Sequence, residues 1–512
     1  MKNRKKTVTI ASLILSVMLM IGGISQGILA SEIPYDTYNY DYRENIVHTP
    51  AAYVPDGSIS GVTLGIGAFK TPQDMCFSPD GEAFIADTGN NRIVVLNSQM
   101  NKVVRVIDCF EAEGVEETFS SPYGVAISQN GLLYVADSQN NRVVVMEQDG
   151  TFVKFIQDPQ SDILEENYVF VPLKVTVDYA DRVYCIAKNM FEGIMVFETD
   201  DSFSGFFGTI EVKISAWEKF WRKLATKEER SNQQLYIPTE FTGLDIDQSG
   251  FVYATNIDSE GVQAVRRLNP AGQDVIKKGQ NGNVGGDLVI PTGGDYPGAS
   301  YIVDVVYRDK GIYSLLDSRR GRIFTYDHEG NLLYIFGGLG SQAGTFSVPV
   351  AIESLGDKIL VLDSARAEIL VFGETEYGSL INDAVALRYD GDETLAVEKW
   401  GRVLELDENN ELANSGIGKA YLTAGENELA MKYLKLGMDR TYYSIAFKRY
   451  RNEILKENSG VVMTVIVVFV AAVAFWVSKK KKKDPYEGGM DDEKIFHQRK
   501  MAVSSSRTDS PG

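Results

Sequence analysis

The chain has 512 residues, 44% hydrophobic and 24% charged, which is enough apolar material for more than one buried core. Its formal charge is −19 overall, yet residues 31–477 hold 38 basic against 64 acidic groups, or −26. So acidic a body repels nucleic acid and anionic headgroups, so its partners are expected to be neutral, cationic or proteinaceous.

The first segment, 1–30, opens on Met1-Lys-Asn-Arg-Lys-Lys6 and runs apolar to Ile28, with Leu29-Ala30 before the polar Ser31. This is the pattern of an export signal, with cleavage expected after Ala30 and an uncleaved anchor as the alternative. Cys76, Cys109 and Cys185 are too few for a disulfide framework, and the exported part has no N-x-Ser/Thr sequon. Together these favour a bacterial cell-surface protein. A tyrosine-rich leader, residues 31–57, contains Tyr35-Asp-Thr-Tyr-Asn-Tyr-Asp-Tyr42. Tyrosines stack on sugars, but a segment strapped across strands uses them equally well, and the strap is the expectation.

From residue 58 to 377 the chain repeats itself. Ile85-Ala86-Asp87-Thr88 is answered 50 residues later by Val135-Ala136-Asp137-Ser138, and Pro72 by Pro122 at the same interval. Each unit runs from Pro through a short apolar strand, turns at Asp-Gly or Asn-Gly, returns to Asp, and continues in two more β-rich segments. Four antiparallel strands per repeat make a propeller blade. Units beginning near Pro172, Pro238, Tyr301 and Pro349 bring the count to six. The last unit lacks a fourth strand, so the segment 58–64 is expected to supply it and close the ring. Asp87 and Arg92, Asp137 and Arg142, and Asp317 and Arg322 share a five-residue offset, as expected of carboxylates that clasp their own turns rather than catalyse.

Residues 69–96 and 119–146 carry the Pro, apolar strand, Asp-Gly or Asn-Gly turn, V-A-D and N-N-R pattern and resemble the NHL repeat family. The resemblance implies a mainly β, six-bladed propeller, a fold that hosts sensors, scaffolds, lyases and lactonases. In such propellers the residues after each unit's Pro face the channel mouth, which singles out Gln73, Tyr123, Leu173, Lys174, Thr239, Glu240 and Val350; of these, Gln73, Tyr123, Lys174 and Glu240 are the candidate ligand contacts. Lyases of this architecture depend on several channel histidines, whereas the exported part has only His48 and His328. Lactonase-like propellers use a carboxylate-bound divalent ion instead, which leaves that one cofactor open and no other expected.

The interval between the third and fourth units is longer, and 213–234 there reads as a helix. Ile214, Trp217, Phe220, Trp221 and Leu224 share one of its faces, which is expected to pack on the propeller rim; otherwise Trp217, Phe220, Trp221 and Leu224 are the candidate docking face for a partner or the membrane interface. At 378–457 the period becomes helical. Ala396, Trp400 and Val403 are echoed 34 residues later by Ala430, Leu434 and Gly437, which resembles tetratricopeptide repeats and implies a peptide- or protein-binding groove, a rigid stalk being the equal alternative. Residues 460–478 are apolar and long enough to cross a bilayer, and Lys479 to Lys483 place the tail, 479–512, in the cytoplasm.

These features lead to a membrane-anchored extracytoplasmic binding or scaffold protein whose partner is expected to be an integral membrane protein, such as a transport assembly it serves as an accessory or sensory subunit. A metal-dependent lactonase- or lyase-like enzyme and a saccharide-binding receptor are the alternatives.

Overall fold

A computed structural model describes residues 33–159, 161–164, 168–209, 240–258, 263–279 and 282–481. The expected export signal, the insertion face with Trp217, Phe220, Trp221 and Leu224, and residues 482–512 of the tail lie outside the described residues.

Six sheets form a closed ring. Blade one comprises Asp74–Phe77, Ala83–Asp87, Arg92–Leu96 and Val103–Ile107, paired antiparallel in that order. Blade two repeats the arrangement with Pro122–Ile127, Leu132–Asp137, Arg142–Glu147 and Phe152–Ile156, and blade three with Pro172–Val177, Val183–Ala187, Ile194–Phe197 and Phe203–Phe207. The second and third strands are runs of β-branched residues such as Ile93-Val-Val and Val143-Val-Val, fully buried because a blade is covered on both faces by its neighbours.

Blade four has three strands among the described residues, Phe241–Ile246, Val252–Asn256 and Val265–Leu268. The expected fourth is reduced to a single bridge between Leu268 and Asp274, because Asn269, Pro270 and Gly272 turn the chain at once and little apolar sequence follows. Blade five, Ile302–Asp309, Ile312–Asp317, Arg322–Tyr326 and Leu332–Phe336, is instead enlarged: the leader forms a hairpin, Tyr38–Tyr40 with Ile46–His48, that pairs with its outer strand at Ile335. The leader is thus a strap.

Blade six, Pro349–Leu355, Lys358–Asp363 and Glu368–Glu374, is completed from the N-terminal side. The closing strand is Tyr53–Ser60, with Tyr53 opposite Glu374 and Ser60 opposite Glu368. It therefore lies earlier than the expected 58–64, since residues 61–66 form a turn in which Leu64 N–H donates to Ser60 O at 3.1 Å. Pro55 is tolerated because this is an outer strand, where a missing N–H costs no ladder bond.

Five helices follow: α1 Glu376–Asp390, α2 Glu393–Leu406, α3 Glu411–Ala424, α4 Asn427–Leu436 and α5 Arg440–Glu457. The side chains of Thr375, Asp392, Asn410 and Asp439 cap α1, α2, α3 and α5. Ala396, Trp400, Val403, Ala430 and Leu434, the spaced residues of the sequence pattern, are all buried. Leu422, Ala430, Leu434 and Ala446 of α3, α4 and α5 form a small cluster of their own, while the first three helices share the propeller's core. Tyr377, Ile381, Trp400 and Ile417 join one cluster with Tyr53, Phe336, Phe346 and Phe372 of blades five and six. Lys310 and Glu329, in turns on the same face of blade five, pair with Asp390 at 2.9 Å and Lys419 at 2.7 Å. A sixth helix, α6 Ser459–Lys481, is long and apolar enough to cross a membrane.

Candidate functional site: the propeller channel

The first strand of every blade lines the centre of the ring. In blades two to six its register shifts just after the opening residue, as between Pro172 and Lys174 or Ile302 and Asp304. Such bulges re-aim the side chains that follow. Two rings of residues result. Two positions beyond Pro72, Pro122, Pro172, Phe241, Ile302 and Pro349 stand Asp74, Gly124, Lys174, Gly243, Asp304 and Ala351; two further on stand Cys76, Ala126, Thr176, Asp245, Val306 and Glu353.

The first ring is an ion cluster. Lys174 Nζ donates to Asp74 Oδ1 at 2.5 Å and lies 3.6 Å from Asp304 Oδ2, all three side chains being at most 8% exposed. Each carboxylate also reaches the next blade: Asp74 Oδ2 accepts from Val125 N–H and Asp304 Oδ2 from Ile352 N–H, both at 3.0 Å. The glycines between them are steric necessities. A Cβ on Gly124 would lie 2.4 Å from the Leu173 carbonyl, and one on Gly243 would lie 2.6 Å from the Asp304 carboxylate.

In the second ring, Asp245 Oδ2 accepts from Tyr307 N–H of blade five at 2.5 Å. Burial pushes Asp245 up to about 7 against the help of that N–H, and the nearby Asp304 carboxylate adds to the rise. Burial likewise takes Asp304 to about 7; Lys174 opposes this and Asp74 reinforces it. Glu353 and Asp74 are raised by the same burial, Glu353 with further help from Asp245, Asp304 and Asp74. Lys174 is held above the usual ammonium range: burial works against its charge, and Asp304 and Asp74 outweigh it. With several carboxylates around one ammonium, the cluster retains protons near neutrality.

The residues singled out from sequence divide. Lys174 is the hub of the cluster, and Tyr123 sits beside it, its hydroxyl raised by burial while the Lys174 charge pulls the other way. Gln73 donates to Ser364 Oγ at 3.2 Å and Glu240 accepts from Asn189 N–H at 2.8 Å, so both join neighbouring blades at the rim. Val350 packs in the core between blades six and one, Leu173 contributes its carbonyl beside Gly124, and Thr239 lies outside the described residues. Asp74, Asp245, Asp304 and Glu353 were not anticipated. Their signal was available, since Asp74 follows Gln73 as Lys174 follows Leu173, at the same station 100 residues apart, but of that station only Lys174 was singled out.

Among the described residues no three His, Cys, Asp or Glu side chains converge to hold a metal ion. The channel carboxylates do not suit one: Lys174 stands between Asp74 and Asp304, and the free edges of Asp74, Asp245 and Asp304 accept backbone N–H groups.

Residues 69–96 and 119–146 match the NHL repeat. Among solved structures, the chain is similar to virginiamycin B lyase from Staphylococcus aureus, 11% identical with a TM-score of 0.38, covering 59% of this chain and 95% of that one. Kuenenia stuttgartiensis hydrazine synthase is 12% identical with a TM-score of 0.36, covering 60% of this chain and 96% of that one. A putative gluconolactonase is 12% identical with a TM-score of 0.37, covering 64% and 94%. No curated protein matches the chain. None of these likenesses assigns a chemistry to it.

Proposed function

We propose that the protein is an extracytoplasmic, membrane-anchored binding or scaffold protein that engages an integral-membrane partner through its propeller rim and tetratricopeptide-like helices. The observation that carries this reading is the core shared by blades five and six with α1, α2 and α3, which packs the propeller and these three helices as one body ahead of an apolar helix. A rigid body presents surfaces in fixed relation, as a scaffold requires. The export segment before it and Lys479 to Lys483 after α6 support the orientation. The channel supports binding over catalysis, since its ionic groups are spent on holding blades together.

Cys109 gives a direct test of sidedness. It is exposed, whereas Cys76 and Cys185 are buried. A membrane-impermeant maleimide should label intact cells at Cys109 and fail on Cys109→Ser; labelling only after lysis sinks the extracytoplasmic assignment. Purification of the full chain from solubilised membranes should recover a stoichiometric integral-membrane protein that is lost on deletion of 213–234 or of 396–456. Recovery of the chain alone, with a tightly held divalent ion, would favour the enzyme reading.

A further inference from the structure

Away from the channel, at the outer edge of blade five, the fold builds a second polar space where three elements meet. The leader hairpin leans on the start of α3: Tyr42 N–H donates to Glu411 Oε2 at 2.8 Å, and the Arg440 guanidinium lies 4.9 Å from the centre of the Tyr42 ring. Between the hairpin, the turn at Gly330 of blade five and residues 407–412 lies a cleft of about 300 Å³. That is at the small end of the range for ligand pockets.

Its chemistry is selective. Among the described residues no lysine, arginine or histidine lines it, while Asp41, Asp407 and Glu411 do, so an anion is repelled. Each of these carboxylates is already partly spoken for. Asp41 Oδ1 accepts from the N–H groups of Arg43 and Asn45 at 2.8 Å, Asp407 Oδ2 accepts from Tyr377 and Asn410, and Glu411 Oε2 accepts from Tyr42. Groups left for a ligand include one acceptor oxygen each on Asp407 and Glu411, the buried Asn283 Oδ1, the Asn409 amide and the Thr49 and Tyr42 hydroxyls, beside the aromatic rings of Tyr40 and Tyr42.

Scattered single acceptors, amide and hydroxyl groups that both donate and accept, and flat aromatic surface match a ligand with several hydroxyls and an apolar C–H face. An ammonium ion would engage the leftover carboxylate oxygens but make no use of the Asn409 amide as donor. We propose that this cleft binds a small uncharged polyhydroxylated ligand, of the monosaccharide or disaccharide class. Because one wall is the leader and another is the helical domain, such a ligand ties the strap to α3 and stabilises their junction.

The test uses the full chain in detergent, titrated calorimetrically and by thermal midpoint with glucose, N-acetylglucosamine, maltose, glucose 6-phosphate and agmatine. At least one uncharged sugar is expected to bind saturably and raise the midpoint. Its affinity should fall at least tenfold in Asn409→Ala and in Tyr42→Phe, neither of which removes a buried contact or the ring under Arg440. The proposal is overturned if no uncharged sugar binds, if agmatine or the phosphate alone does, or if sugar binding is unchanged in both variants.

Discussion

At the rim of blades one and two each carboxylate serves its own blade, while in the channel each serves its neighbour. Asp87 accepts from Lys70 N–H, Asn90 Nδ2 and Arg92 Nε, and Asp137 repeats the pattern with Ser120, Asn140 and Arg142. Asp74, Asp245 and Asp304 instead bond to backbone in blades two, five and six, and Lys174 of blade three draws Asp74 and Asp304 together. The repeated carboxylates therefore hold a blade, and the unrepeated ones hold the ring.

The largest effect should come from the hub. Lys174→Met leaves Asp74 and Asp304 buried without their cation, for which a loss of about 3 to 5 kcal/mol in chemical denaturation is expected. Adding Asp74→Asn should restore part of that loss, because the stranded charge is what costs. A Lys174→Met loss below about 1 kcal/mol would mean that the ring holds without its ions.

Asp87→Ala should cost less, about 2 kcal/mol, by stranding the Lys70 N–H, Asn90 and Arg92 donors beside a fully buried position. Its footprint separates the two classes. Hydrogen exchange should accelerate within blade one for Asp87→Ala, but in blades one, three and five for Lys174→Met. Matching footprints would erase the distinction.

The same contrast explains what could be read in the chain. Blade count, strand order and the clasps of Asp87 and Asp137 follow from exact repetition, because each involves residues close in sequence. The third clasp did not follow. Arg322 leaves Asp317 to lie over the Tyr38 ring at 4.6 Å and to donate to Asp36 O, and Arg320 takes its place 3.5 Å from Asp317. The cause is the leader hairpin on blade five, a contact across some 286 positions that no local pattern encodes. The channel ring was partly missed for a related reason. Asp74, Lys174 and Asp304 are ordinary strand residues until register and ring closure bring them together.

pH gives a smaller and signed test. Asp245 and Asp304 rise to about 7 in the folded protein from an unfolded value near 4, so the folded state holds more protons between those limits. Their contribution is therefore complete below about pH 4 and is lost as pH rises through about 7. Glu329 has the opposite sense: burial disfavours its charge, but Lys419 and Arg388 hold it at about 2, so its contribution is present above about pH 4.5 and fades as pH falls towards 2. Thermal stability should peak in mildly acidic solution, and Asp304→Asn should flatten the decline towards alkaline pH. An unchanged slope would remove Asp304 from the proton-holding set.

The smallest effect tests whether ring closure is ionic at all. Lys358 pairs with Asp56 of the closing strand at 2.7 Å, but both side chains are about half exposed, at 45% and 51%. Water screens such a pair, so Lys358→Ala should cost under about 0.5 kcal/mol. The strand is held instead by its ladder to Glu368–Glu374 and by Tyr53, fully buried with its ring stacked 4.9 Å from that of Phe336. Tyr53 also receives a hydrogen bond from Arg308 and donates one to Glu374, so closure is anchored where the leader, blade six and α1 share a core. A marked loss of stability in Lys358→Ala would move the closing force from that core to the surface and join closure to the ionic logic of the channel.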